Sequence, residues 1–200
     1  MTSMKKTLLL LTFLLGCLSL AAQTPVRLEG AARDEAVETI LKANDIRTSL
    51  QFRFVMTRHS ALLTEDLVSR GRAWYVYPDK ARWEVEQPRP SVFILNGETV
   101  TDRRQQTLLR NVSKIGEKGL INDTDFTVTV YETPRQWQVD LIPLRRDLSQ
   151  LFSRITLLAD PASGALRSVV LTETGGDITS LELQSLVKGQ TLDGQLFLNP

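Results

Sequence analysis

Along the chain the spacing of apolar side chains changes once, from a helical to an alternating period. Between Gly30 and Ile46, Ala36, Val37, Ile40, Leu41 and Ala43 recur at three- and four-residue intervals, while Arg33, Asp34, Glu38 and Lys42 take the other face. That spacing predicts one amphipathic helix ending near Asn44-Asp45. Such a helix needs an apolar surface to lie on.

Beyond it the period is two. Phe52, Phe54 and Met56 alternate with Gln51, Arg53 and Thr57, and Arg72 to Tyr77 forms an aromatic strand ended by Pro78-Asp79. The clearest alternation runs from Arg82 to Glu86: Trp83 and Val85 face one way and three charges face the other. Pro88 and Pro90 stop it. Ser91 to Leu95 follows, and then Asn96-Gly97, a hairpin signal between apolar runs.

Glu98–Asp102 and Gln106–Val112 read as weaker strands. Lys114–Asn122, interrupted by glycine, reads as a loop or short helix. Strands resume at Phe126–Tyr131 and Gln136–Ile142, a helical turn fits Asp147–Phe152, and Ile155–Ala159, Leu166–Glu173 and Ile178–Val187 complete the series. Short strands with tight turns between them predict a meandering antiparallel sheet. The expected fold class is mainly β with helices (α+β). About ten twisted strands tend to curl, so the sheet should bend into an incomplete β-barrel, with the N-terminal amphipathic helix laid across it and short lid helices or loops.

The first residues carry a different signal. Lys5-Lys6, an apolar run from Leu8 to Leu15 and the small residues before Gln23 have the order of a secretory signal peptide. Residues 1–22 are therefore expected to be removed near Ala22-Gln23, leaving residues 23–200 as a single exported domain. The apolar run is short for a membrane span. The single cysteine, Cys17, lies in this segment in a context that loosely resembles a lipidation site, so a lipid-anchored chain is the alternative.

Charge is nearly balanced, with 24 Lys and Arg against 23 Asp and Glu, which argues against nucleic acid as a partner. One histidine, His59, and no cysteine after Cys17 leave too few ligands for a zinc site. No metal or other cofactor is expected. His59 beside Arg58 reads as a surface histidine with no nucleophile motif near it. Glu84 and Glu86 read as an outward polar face rather than as opposed catalytic carboxyls. Nucleotide-binding glycine patterns are absent. The chain is expected not to be an enzyme. The large aromatics can be plain core or the wall of an apolar hollow, and spacing alone does not choose.

Read together, Gly71-Arg72-Ala73-Trp74-Tyr75-Val76-Tyr77-Pro78-Asp79-Lys80-Ala81-Arg82-Trp83-Glu84, then Gln87-Pro88, then Leu95-Asn96-Gly97, resemble the periplasmic outer-membrane lipoprotein carrier family, the LolA-like proteins. The preceding helix, the strand from Gln51 to Met56 and the closing Gly176-Asp177 and Leu196-Phe197 fall where that family has them. The resemblance implies a periplasmic carrier that shelters lipoprotein acyl chains in a hydrophobic cavity. It would receive them from an inner-membrane lipoprotein-releasing transporter and deliver them to the outer membrane or its acceptor, working as a monomer.

With that implication, alternation assigns Phe52, Phe54, Trp74, Trp83, Val85, Phe93 and Leu95 to the cavity wall and Ile115, Leu120 and Ile121 to a lid. One departure is clear: the family's lid-tying arginine, just before the strand-ending proline, is replaced by Tyr77. Two other roles share the same fold. One is a membrane-anchored LolB-like acceptor lipidated at Cys17; the other is an envelope sensor of lipid or lipoprotein that acts on a signalling partner.

Overall fold

The computed structural model describes residues 24–97, 99–100 and 121–198. The signal segment, Cys17, the expected strand Gln106–Val112, Ile115 and Leu120 lie outside them.

Eleven strands form one sheet: β1 (Val26–Leu28), β2 (Leu50–His59), β3 (Leu67–Val76), β4 (Lys80–Gln87), β5 (Ser91–Asn96), β6 (Thr99–Val100), β7 (Phe126–Glu132), β8 (Trp137–Pro143), β9 (Phe152–Ala159), β10 (Leu166–Glu173) and β11 (Ile178–Lys188). Two α-helices, α1 (Gly30–Ala43) and α2 (Arg146–Ser149), and a 3-10 turn (Gly194–Phe197) complete the described elements. The spatial order is β1-β7-β8-β9-β10-β11-β2-β3-β4-β5-β6. Every pairing is antiparallel. Two meanders, β2–β6 and β7–β11, therefore meet side by side at β11 and β2. Among the described residues the sheet begins on β1 and ends on β6, which are not paired with each other, as in an incomplete barrel.

The register puts one apolar face inward. On β7–β10 it carries Phe126, Val130, Val139, Leu141, Ile155 and Leu157, into which α1 inserts Ala36 and Ile40. The helical spacing of Ala36 and Ile40 makes this possible, since residues four apart share a face. Asn44 fastens the far end of the helix. Its Nδ2 donates to the carbonyls of Ile40 (2.7 Å) and Gly164 (2.8 Å), and its Oδ1 accepts from the Leu166 amide (3.1 Å). Gly164 has φ +70°, and a Cβ there would sit 2.6 Å from the Thr39 carbonyl oxygen. The β9–β10 turn approaches the helix that closely because the residue is glycine.

The outer face of β3–β5 bears a second, smaller core. Trp74 and Ile94 are covered by Phe197, with Val76, Val92, Leu192 and Leu196 packed around them. The chain after β11 crosses this outer face, and the Arg82 Nη1 donates to the Leu196 carbonyl at 3.0 Å.

Three features depart from expectation. β1 is only three residues long, too few to show a period, and β3 begins at Leu67 rather than Arg72. At the Asn96-Gly97 hairpin, Asn96 is still paired with Thr99 as a strand residue. Gly97, at φ +62°, is the first residue of the turn.

Candidate functional site

The inner face changes character across the seam between β11 and β2. On the β7–β10 side it is mainly aliphatic, with Phe126 and Phe152 among the aliphatic residues, and capped by α1; on the β2–β5 side it is mainly aromatic. Pairing of Phe52 with Ala73, Ala73 with Trp83 and Trp83 with Phe93 places these residues in one row. Phe54, Gly71 and Val85 form the next row, and Leu50, Tyr75, Ala81 and Leu95 the row on the other side. Six of the seven expected wall residues, Phe52, Phe54, Trp83, Val85, Phe93 and Leu95, thus share the inner face.

Trp83 is the centre of this surface. Its ring meets Phe54 at 4.3 Å between centroids, tilted by 30°, and Phe52 at 5.7 Å edge-on. Phe54 is fully buried and Leu95 nearly so, while Phe52, Trp83, Val85 and Phe93 keep partial solvent access. Gly71 makes the packing possible. A Cβ at that position would lie 1.8 Å from the Glu84 carbonyl oxygen and 2.7 Å from Phe54 Cζ. The phenylalanine ring occupies the space a side chain would take, beside the irregularity in the β3–β4 register at Arg70 and Gly71.

Trp74 is the correction. It pairs with Gln51 and Arg82, which puts it on the outer face, where it is buried under the 3-10 turn with the Arg72 guanidinium 5.3 Å from its ring. Tyr75 takes the inner position instead. Burial pushes its phenol up to about 12, with Tyr77 and Asp79 adding to the effect, so it stays neutral, and its hydroxyl donates to the Pro78 carbonyl at 3.2 Å. Sequence alternation missed this because Trp74 and Val76 are as apolar as Ala73 and Tyr75. A strand with two covered faces has no polar side to set its parity.

Ile121, the one expected lid residue described, is buried in the α1 core beside Phe126. Its two companions, Ile115 and Leu120, lie outside the described residues.

The charged residues that alternate with the wall residues, Arg53, Arg72, Arg82, Glu84 and Glu86, are on the outer face; Arg58, further along β2, has inner parity and pairs with Asp177 at the end of the sheet. Arg53 and Arg72 bind Glu86 at 3.1 and 2.7 Å, and Arg82 binds Glu84 at 2.6 Å. These pairs use the carboxylates of Glu84 and Glu86 and leave the aromatic face uncharged. His59 is exposed, its Nδ1 2.8 Å from Asp66 Oδ1. Among the described residues no helix is long and apolar enough to cross a membrane, and no cluster of three or more His, Cys, Asp or Glu side chains is placed to hold a metal.

Two surface depressions lie away from the aromatic wall. One, of about 540 Å³, sits at the β1 edge between Val26, Thr133 and Pro161. The other, of about 610 Å³, runs along α1 from Arg33 past Val37 and Leu41 to Arg47. Neither is lined by the wall residues. Around Trp83 the rings pack on one another, and the surface they offer is the partly exposed edge of that stack.

Comparison with known proteins places this architecture. The family described as outer membrane lipoprotein carrier protein LolA matches residues 47–199. No curated protein sequence matches the chain. Among solved structures, a LolA superfamily protein, NE2245 from Nitrosomonas europaea, is 8% identical over 83% of this chain and 97% of its own, with a TM-score of 0.47. MucB in its complex with MucA from Pseudomonas aeruginosa is 15% identical, with a TM-score of 0.52 over 85% of this chain and 62% of that one. MucB crystallised alone gives 13% identity and 0.51 over 86% and 64%. The chain thus spans less than two thirds of MucB, and at these identities the likeness is one of fold.

Proposed function

The chain belongs to the LolA outer membrane lipoprotein carrier family, and from that premise we propose that it is an exported carrier. It would hold the acyl chains of lipoproteins against the inner aromatic face of β2–β5 and pass them toward the outer membrane. The observation that carries this reading is the stretch of inner face around Trp83, on which Phe52, Trp83, Val85 and Phe93 stay partly exposed while the charged residues that alternate with them turn outward.

The physical demand on a carrier is twofold. Each buried methylene of an acyl chain is worth ~0.8 kcal/mol, so a chain must be given an apolar surface before it leaves a bilayer. It must also be released, which directional bonds would hinder. Apolar contact is non-directional and graded by the area covered, and an aromatic wall supplies large area with few rotatable bonds. Proteins of the LolA family are carriers or binding proteins rather than enzymes. Nothing in the proposed site calls for a reacting group.

The test is capture. Incubated with an acylated lipoprotein, the protein should form a soluble complex that elutes as one species, and the same lipoprotein without its acyl chains should not bind. Trp83→Ala should lower recovery of the complex about tenfold, the effect of losing one large apolar contact. Circular dichroism would establish that the variant is folded. Equal capture of acylated and unacylated cargo would overturn the reading, and undiminished capture by folded Trp83→Ala would remove Trp83 from the site.

A further inference from the structure

At the end of the sheet where β2, β4 and β10 finish, the β2–β3 hairpin carries apolar side chains into solvent. Leu62 is 94% exposed, Leu63 47%, Leu67 48% and Val68 37%, and Ile178, opposite His59 on β11, is 38% exposed. Large apolar residues scattered singly need no explanation; a contiguous group at a protruding tip does.

This tip is built. Ser60, itself buried, accepts at its carbonyl from the Leu63 amide (3.0 Å) and at its hydroxyl from the Leu62 amide (3.3 Å). The base is clasped twice more, by His59 Nδ1 with Asp66 Oδ1 (2.8 Å) and by Arg58 Nη2 with Asp177 Oδ2 (2.8 Å) across to the β10–β11 turn. The turn thus holds Leu62 and Leu63 outward. They belong to neither apolar core cluster.

We infer that the Leu62–Leu63 tip is a membrane-contact element that inserts shallowly into the headgroup region of a phospholipid bilayer. The form of the tip chooses the occupant. A leucine exposed on nearly every side is buried completely only by something that surrounds it, and fluid lipid does so without a preformed pocket. The flanking charge is mixed, with exposed Glu65 in the hairpin itself, so shape rather than net charge selects lipid. Arg70 on β3 and Arg89 on the β4–β5 turn are exposed at the same end of the sheet, and Asp66 is engaged by His59. The reason for such contact rests on the carrier reading: cargo is exchanged at membranes, and the tip would bring this end of the sheet to them.

The experiment uses the exported chain and vesicles of phosphatidylethanolamine with phosphatidylglycerol, with no lipoprotein present. Its outcome is therefore independent of acyl-chain capture, which the lipoprotein assay reads separately. The parent should sediment with vesicles, and Leu62→Ser/Leu63→Ser should sediment about tenfold less, since binding follows buried apolar area. In Leu62→Trp, the difference spectrum against the parent should shift to the blue when vesicles are added. A parent that stays in the supernatant, a double variant that sediments equally, or a Leu62→Trp emission unmoved by vesicles overturns the proposal. The first of these results would leave the tip to a protein partner instead.

Discussion

At Gly71 the inner wall has room for no side chain. The contact a methyl group would make is with backbone, the Glu84 carbonyl, and cannot be relieved by a rotamer change. Gly71→Ala should therefore lower stability to urea by about 3 kcal/mol, the upper range of overpacking in a filled core. The same change at Gly175, where a Cβ would meet nothing within 4 Å, supplies the control. Gly71 also explains what was readable at single positions. The alternation of Phe52 with Phe54 and of Trp83 with Val85 assigned four side chains to one face because β2 and β4 carry mostly polar residues on the other; Phe93 and Leu95 share that face although Val92 and Ile94 make the other side of β5 as apolar. For β3 the inner positions are Gly71, Ala73 and Tyr75, two of them small, and the outer Trp74 outweighs them in any count of hydrophobicity. What covers Trp74 is Phe197, more than a hundred residues further on, and no local pattern announces that contact.

Between elements, the ties are few and specific. Asn44 joins α1 to the β9–β10 turn, and Asp177 joins the β10–β11 turn to β2. The Asp177 carboxyl is held below the usual carboxylate range, first by the hydrogen bond from Arg58 and then by that from Ser60. A carboxyl whose acidity is strengthened by folding stabilises fully above its unfolded value, and that support is lost as pH falls through the folded one. The difference in urea midpoint between the parent and Asp177→Asn should accordingly be largest near neutral pH. It should begin to shrink as the pH falls below about 4 and vanish only below the lowered folded value, where both chains carry an uncharged group. A difference that persists unchanged in acid would assign the effect to shape rather than charge. The elements themselves were legible where they were long: α1, β2, β4, β5 and the strands from β7 to β11 stand within a few residues of the positions that periodicity gives. The three-residue β1 was not, since its pairing with β7 is created by the sheet and not by its own sequence.

For the whole molecule, the two apolar layers divide the labour. The inner face carries the proposed cargo wall, and the outer face of β3–β5 is sealed by the 3-10 turn. The proposed export makes a direct demand on the N-terminus. Mass spectrometry of the protein recovered from the envelope should find Gln23 as the first residue; an acylated Cys17 there would instead indicate a membrane-anchored acceptor of the same fold. The antiparallel sheet and its covering helix followed from the strand count and the helical period. The order of its strands did not, because the decisive pairing joins β2 to β11 across most of the sequence.

That pairing has a consequence for how the chain is made. Among the described strands β2 is the second in chain order and β11 the last, yet each is the other's neighbour at the middle of the sheet. A polypeptide threaded through a membrane from its N-terminus would present β2–β5 with one ladder edge vacant until the final strand emerged. Contacts so distant in sequence form slowly. Completion of the fold would wait for the end of translocation, so the unfolded state that secretion requires is favoured by the topology itself.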